Sequence, residues 1–235
     1  MSQAVLSECS EVSARHISFL ETGRARPSQQ MVLLLASALE VPLRHRNQLL
    51  AAAGFAPVYS ARDLEEPEMA PVRAALDFVL QRSEPNPALA VDRTWRLVGL
   101  NRGAARVAAV FLDPDILALG NVMHTLFHPR GFRKYMLNWP QVRALTLAQL
   151  QQQALIDPSV RALLQELLRY PPTEPAPAGN PILIPLHLRR GDIELRFSNL
   201  LTTLGSAVDA TARELTVETW FPLDQATEDW LSGSA

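Results

Sequence analysis

Apolar residues over the first fifty-odd positions recur at spacings of three and four, the period of helices packed on one another. Met31, Leu34, Leu35 and Ala38 fall at i, i+3, i+4 and i+7, a buried helical stripe. Ile17 and Leu20 share one face of a helix whose other side shows Arg15 and Ser18. A serine stands before each of three helices: Ser2, Ser13 and Ser28 can each accept a hydrogen bond from an orphan amide of the first turn. Val12 and Ile17 are placed as a hydrophobic staple across the second start. Gly23 ends that helix, Val41-Pro42 breaks the third, and a fourth runs from about Leu43 to Ala53 before Gly54. The first two helices, Ser2 to Cys9 and Ser13 to Glu21, are joined by a short turn. Their spacing matches a helix-turn-helix, although a helical pair in any all-α core would give the same pattern.

Residues 57–70 are polar and carry two prolines, which predicts a linker. A helix follows from about Pro71 to Gln81 with Val72, Leu76 and Leu80 on one face. The period then changes. Ala88 to Val91 and Trp95 to Leu100 flank the turn-forming Asp92-Arg93-Thr94, and Asn101 caps an alanine-rich helix to about Phe111. From Pro114 to Tyr170 the chain is helical, in pieces Asn121–Phe127, Gly131–Leu137, Pro140–Gln153 and Pro158–Arg169. Five prolines between Pro171 and Pro181 demand an irregular connection. Three strands complete the pattern: Ile182–Leu188, Ile193–Leu201 and Glu214–Phe221. Ile193, Leu195 and Phe197 alternate with Glu194 and Arg196, so one sheet face is apolar. With the first two strands these would make a five-stranded antiparallel sheet. The expected organisation is a helical head over 1–58, a linker over 59–70, an α+β domain over 71–225 and a loose tail over 226–235.

Composition narrows the classes. No apolar run approaches the roughly 18–20 residues of a membrane helix, and no signal-peptide pattern follows Met1, so a cytoplasmic protein without a membrane partner is expected. The single cysteine, Cys9, rules out an internal disulfide framework. A net charge of −2 argues against a general nucleic-acid coat, yet residues 15–46 hold five arginines against Glu21 and Glu40. His124 and His128 have metal-ligand spacing on a helix, but Thr125 stands where HExxH needs glutamate. There is no G-x-S-x-G elbow or P-loop, and His187 falls on a sheet face as a structural histidine. No catalytic residue, metal or cofactor is expected, and the chain is not read as an enzyme.

The string V-S-x-R-H-I-S-F-L-E-T-G-R-x-R-P-S resembles the Cro/phage-repressor (XRE) class of helix-turn-helix, usually S-Q-x-x-x-A-x-x-x-G-V-S. Ser2, Gln3, Val12 and Ser13 match, Ser7 replaces the small alanine and Glu11 replaces the turn glycine; the likeness continues from Pro42 to Pro57. The hairpin, Asn101 and the alanine-rich helix resemble the opening of a PAS domain. F-H-P-x-G-x-R-x-x-x-x-N-W, Phe127 to Trp139, is similar to the ligand domain of MmyB-like regulators. The whole pattern resembles an MmyB-like XRE-family transcriptional regulator: an all-α helix-turn-helix head, whose usual first helix is missing from the four visible, followed by an α+β PAS-like domain.

That resemblance implies double-stranded DNA as a partner, with Gln3, Ser13, Arg15 and Ser18 towards the groove or its edge phosphates and Arg24, Arg26 and the helix start at Ser28 on backbone phosphate. It implies a homodimer. Binding is expected to be weak, because Glu11 strains the turn and the apolar surface of Val5, Leu6, Ile17 and Leu20 has no obvious cover. In the second domain it implies a pocket for a small apolar ligand such as a long-chain fatty acid, lined by Ile184, Leu186, Leu195, Phe197, Leu215 and Val217 from the sheet and Met123, Phe127, Phe132 and Met136 from the helical cover. A dry core would use the same residues. Arg133 and Asn138 would meet the ligand's carboxylate, or else tie down helix ends. The rival reading is a ligand-binding protein whose degenerate head no longer binds DNA and serves in packing or dimerisation.

Overall fold

The computed structural model describes residues 1–233 apart from 173, 177, 178 and 180. The chain forms two compact units, Met1–Ala70 with Leu204–Glu214, and Pro71–Thr203 with Leu215–Ala235.

The first unit begins with four helices, α1 (Gln3–Ser10), α2 (Ala14–Glu21), α3 (Gln29–Ala38) and α4 (Leu43–Ala52). The serine caps form as expected: Ser2 Oγ accepts from Val5 N, Ser13 Oγ from His16 N and Ser28 Oγ from Met31 N. The apolar stripe of α3 answers the question left by the sequence. Leu6, Val12 and Ile17 are buried against Met31, Leu35 and Ala38, so the expectation that Leu6 and Ile17 lack a cover is corrected, and of the four only Val5, at 45%, is exposed. Between α1 and α2, Glu11 takes φ +56°, the left-handed conformation in which a Cβ crowds the backbone. Glu11→Gly should therefore raise the stability of this unit by about 1 kcal/mol, read as a higher midpoint in denaturant; an unchanged or lower midpoint would show that the turn stores no strain.

Residues 59–70, expected as a free linker, are held within this unit. Asn47 Nδ2 donates to Tyr59 O at 2.7 Å while its Oδ1 accepts from the amides of Val58 and Tyr59. The stretch 204–214, which sequence placed inside the second domain, also belongs here and carries a short helix (Ala210–Glu214). Ser60 O accepts from Ala210 N, Arg62 pairs with Asp209 at 3.2 Å, and Arg44 Nε reaches both carboxylate oxygens of Glu214 at 3.0 Å.

The second unit starts with α5 (Ala70–Arg82), the hairpin β1 (Ala88–Val91) and β2 (Leu97–Leu100), and α6 (Arg102–Phe111). Buried Asn101 knits the three together: its Oδ1 accepts from Ala104 N and Ala88 N at 2.9 Å, and its Nδ2 donates to Leu80 O and Asn86 O. Then come α7 (Pro114–Leu117), α8 (Val122–Phe127), α9 (Trp139–Ala154), α10 (Pro158–Leu167), β3 (Leu186–Arg190), β4 (Ile193–Thr203), α11 (the Ala210–Glu214 helix of the first unit), β5 (Thr216–Pro222) and α12 (Gln225–Ser232). The five strands form one antiparallel sheet in the order β2-β1-β5-β4-β3. Gly191, at φ +61°, makes the two-residue turn between β3 and β4.

Four sequence expectations are corrected. Gly131–Leu137 forms only a single 3-10 turn at Phe132–Lys134 in place of a helix. The third strand starts at Leu186 and not at Ile182, because its pairing with β4 begins at Leu186 opposite Phe197. Trp95 sits at φ +63° in the turn, outside the second strand. The presumed tail is α12, capped by Asp224 and anchored by Leu231, by Thr227 Oγ1 accepting from Arg196 N, and by Arg106 stacking 4.4 Å from the Trp230 ring centroid. Of that tail, Ser234 and Ala235 lie outside the described residues, as do Thr173, Pro177, Ala178 and Asn180 of the proline-rich connection.

Candidate functional site

The helical cover and the sheet of the second unit enclose a cavity of about 270 Å³, at the small end of ligand sites, which run to roughly 300–1,000 Å³. Small side chains on α6 contribute to it. Ala104 and Ala108 stand one turn apart on the face turned to the sheet, and both line the cavity with Leu112. The walls are Leu89 and Leu97 from the hairpin, Met123 and Leu126 from α8, Val142 and Leu150 from α9, and Leu188 from β3. The rim is apolar as well: Leu100, Leu117, Leu145 and Leu201 line the cavity while remaining substantially exposed.

The structure separates the residues singled out from sequence. Met123, Phe132, Met136, Ile184 and Leu186 line the cavity. Phe127, Leu195 and Phe197 are sealed in the core behind it, Phe127 edge-on to Trp139 at 5.0 Å between ring centroids. Leu215 and Val217 are a correction of phase. Successive strand residues point to opposite faces, and β5 turns Glu218 and Trp220 to the cavity, which sends Val217 and its neighbour Leu215 the other way. Arg133 and Asn138 are a correction too, because both are occupied elsewhere. Arg133 stacks on Trp139 and donates to Pro171 O at 3.1 Å; Asn138 donates to Pro185 O at 2.7 Å and accepts from His187 N. Both hold backbone carbonyls of the following connection, and neither lines the cavity.

Sequence reading missed the polar part of the wall: Glu218, Asn199, Gln149 and Gln153. The available signal was the run T-V-E-T-W-F, whose phase is ambiguous because both alternating sets contain an apolar residue. Glu218 is buried, and burial pushes its carboxyl above the usual carboxylate range. The folded chain therefore keeps a proton that the unfolded chain has released above about pH 4.3. The Glu218 contribution to stability falls as pH rises through the interval between those two pKa values, then levels off. Glu218→Gln should remove that decline and leave the variant the more stable protein at neutral pH; equal slopes of melting temperature against pH for the two proteins would contradict this.

His124 lies in a polar cluster, Nδ1 3.1 Å from Tyr170 Oη and Nε2 3.1 Å from Glu166 Oε2, with the His128 ring also edge-on to Tyr170. Among the described residues no group of three or more His, Cys, Asp or Glu is arranged for a metal ion. His187 pairs with Glu194 at 2.7 Å on the sheet.

In the first unit, Arg15, Arg24 and Arg26 are exposed, and among the described residues none of them makes a salt bridge. Arg15 lies over the Phe19 ring at 5.4 Å. Ser13 and Ser28 act as caps, Gln3 donates to Glu21 Oε2 at 2.5 Å, and the Ser18 carbonyl accepts from Thr22 Oγ1. No helix among the described residues is long and apolar enough to cross a membrane.

Comparison with known proteins agrees with both units. A model of the helix-turn-helix family matches residues 1–45, and the model described as the MmyB-like transcription regulator ligand binding domain matches residues 72–232. No curated protein matches the chain. Both matched families are regulatory, one binding DNA and the other a ligand. The cavity under the sheet lies within the matched ligand-binding region, α1 and α2 lie within the matched helix-turn-helix, and the chain belongs to the MmyB-like transcription regulators.

Proposed function

We propose that this regulator acts in the cytoplasm as a homodimer, and that an apolar ligand with a fatty-acyl-like chain, held in the cavity of the second unit, controls DNA binding by α1 and α2. The observation that carries the reading is the apolar cavity, open at a leucine rim and lined by alanines on α6, in a chain that also holds a helix-turn-helix. On the DNA side, Arg15 and Ser18 on the exposed face of α2, together with Gln3 and Ser13, would approach the groove, and Arg24, Arg26 and the start of α3 at Ser28 the phosphates. On the ligand side, Met123, Phe132, Met136, Ile184 and Leu186 would contact the chain. Ligand occupancy would reach the head through residues 204–214, which join β4 to β5 and are tied into the first unit by Arg44–Glu214 and Arg62–Asp209.

The test is fluorescence anisotropy on a labelled duplex from the region upstream of the coding sequence, with and without 1-dodecanol. Each phosphate neutralised contributes about −0.9 to the slope of log K against log salt, so Arg24→Ala and Arg26→Ala should each flatten the slope by about that amount and weaken all sequences alike. Dodecanol should shift the affinity in the wild type, and Arg44→Ala should bind both partners yet lose much of that shift. Operator affinity indifferent to both arginines, or to any occupant of the cavity, would overturn the reading.

A further inference from the structure

The polar end of the cavity is built around one carboxyl group. On β5, Glu218 faces the cavity between its cross-strand neighbours Leu89 on β1 and Leu201 on β4, both of which also line it. Glu218 Oε1 accepts two hydrogen bonds, from Asn199 Nδ2 at 2.8 Å and from Trp220 Nε1 at 2.9 Å. Oε2 has no hydrogen-bond partner among the described residues, and it is not one of the fully sealed polar atoms that lack one, His45 Nδ1 and Trp139 Nε1. Among the other polar side chains of the wall, those of Asn121, Thr125 and Thr146 are engaged. Asn121 caps α8 and donates to Thr94 O, and the hydroxyls of Thr125 and Thr146 donate to Val122 O and Val142 O. Gln149 and Gln153 are exposed at the rim. Among the described residues, no Lys, Arg or His lines the cavity.

We propose that the ligand carries a neutral, hydrogen-bond-accepting head group, an alcohol or carboxamide on an alkyl chain, and that this head binds Glu218 Oε2. The inference rests on the ligand-cavity reading above and adds the chemical class of the head. A free fatty acid would bring a carboxylate into an apolar cavity whose described lining holds no cation, so its charge would be desolvated without compensation. The neutral carboxyl suits the observed bonds: Oε1, as the carbonyl oxygen, takes both N–H donors, and the Oε2 hydroxyl donates to an oxygen of the ligand. Burial, which raises the Glu218 pKa, favours that form.

The experiment is isothermal titration of the full chain near neutral pH with probes of one chain length: n-decane, 1-decanol, decanamide, decylamine and decanoate. Decanol and decanamide should bind about tenfold more tightly than decanoate, the difference one well-placed hydrogen bond makes. Glu218→Gln still presents an N–H donor at the Oε2 position and should keep the preference for the neutral heads. Glu218→Leu should abolish it, and if that variant fails to fold, the glutamine variant and the wild-type series still decide. Decanoate or decylamine binding as tightly as the neutral probes would overturn the head-group assignment while leaving the cavity reading intact. Failure of every probe, decane included, would overturn the cavity reading itself.

Discussion

Ala104→Leu with Ala108→Leu should close the cavity and make the protein deaf to ligand. Both alanines line the same space from α6, one helical turn apart, and their small side chains leave room in it. A ligand at a hundredfold excess over its Kd stabilises its host by about 2.7 kcal/mol. In the double variant that gain should fall to near zero, so melting temperatures with and without 1-decanol coincide. The fold itself should survive, because added methyl groups that overpack a core typically cost about 1–3 kcal/mol, and here they enter a pre-existing space. DNA binding should persist without responding to decanol. A double variant that still shows the full ligand-dependent shift would place the ligand elsewhere.

Phe127→Ala should cost about 3–5 kcal/mol, the range for deleting a fully buried aromatic ring. Phe127 is 0% exposed and meets Trp139 edge-on, in the centre of the cluster that includes Met123, Leu150, Leu188 and Phe197. Its loss removes ring-to-ring contact and leaves a void behind the cavity wall, which neighbouring helices cannot fill without moving α8. For a unit of this size the penalty corresponds to a fall of about 6–20 °C in the melting temperature of the second unit. Tryptophan fluorescence reads it directly, since Trp139 and Trp220 both sit in that unit. A drop of less than a few degrees would mean that the core repacks around the missing ring.

Local signals carried much of the architecture. The serine caps at positions 2, 13 and 28, the Asn101 cap and the Gly191 turn each follow from one or two residues and short-range geometry, and the structure contains them all; of the α3 stripe, Met31, Leu35 and Ala38 pack on α1 and α2, whereas Leu34 is exposed and α3 buries Val32 and Ala36. Helix boundaries in the head follow from the same chemistry. The alternation of Ile193, Leu195 and Phe197 reports an apolar sheet face because that strand is polar on its other side.

What lay beyond the sequence depends on residues far apart in the chain. Whether Leu6 and Ile17 are covered depends on α3 folding back onto α1 and α2. That 204–214 joins the first unit depends on Arg44 and Arg62 meeting Glu214 and Asp209, partners separated by well over a hundred residues. Arg133 and Asn138, in the most distinctive string of the chain, bind carbonyls of Pro171 and Pro185, which no local spacing reveals. The phase of β5 is the sharpest case. Val217 and Glu218 offer opposite faces of one strand, and periodicity favours the valine for an apolar interior. Only the register with β1 and β4, and the two N–H donors of Asn199 and Trp220 that make a buried carboxyl tolerable, decide that the glutamate faces the cavity.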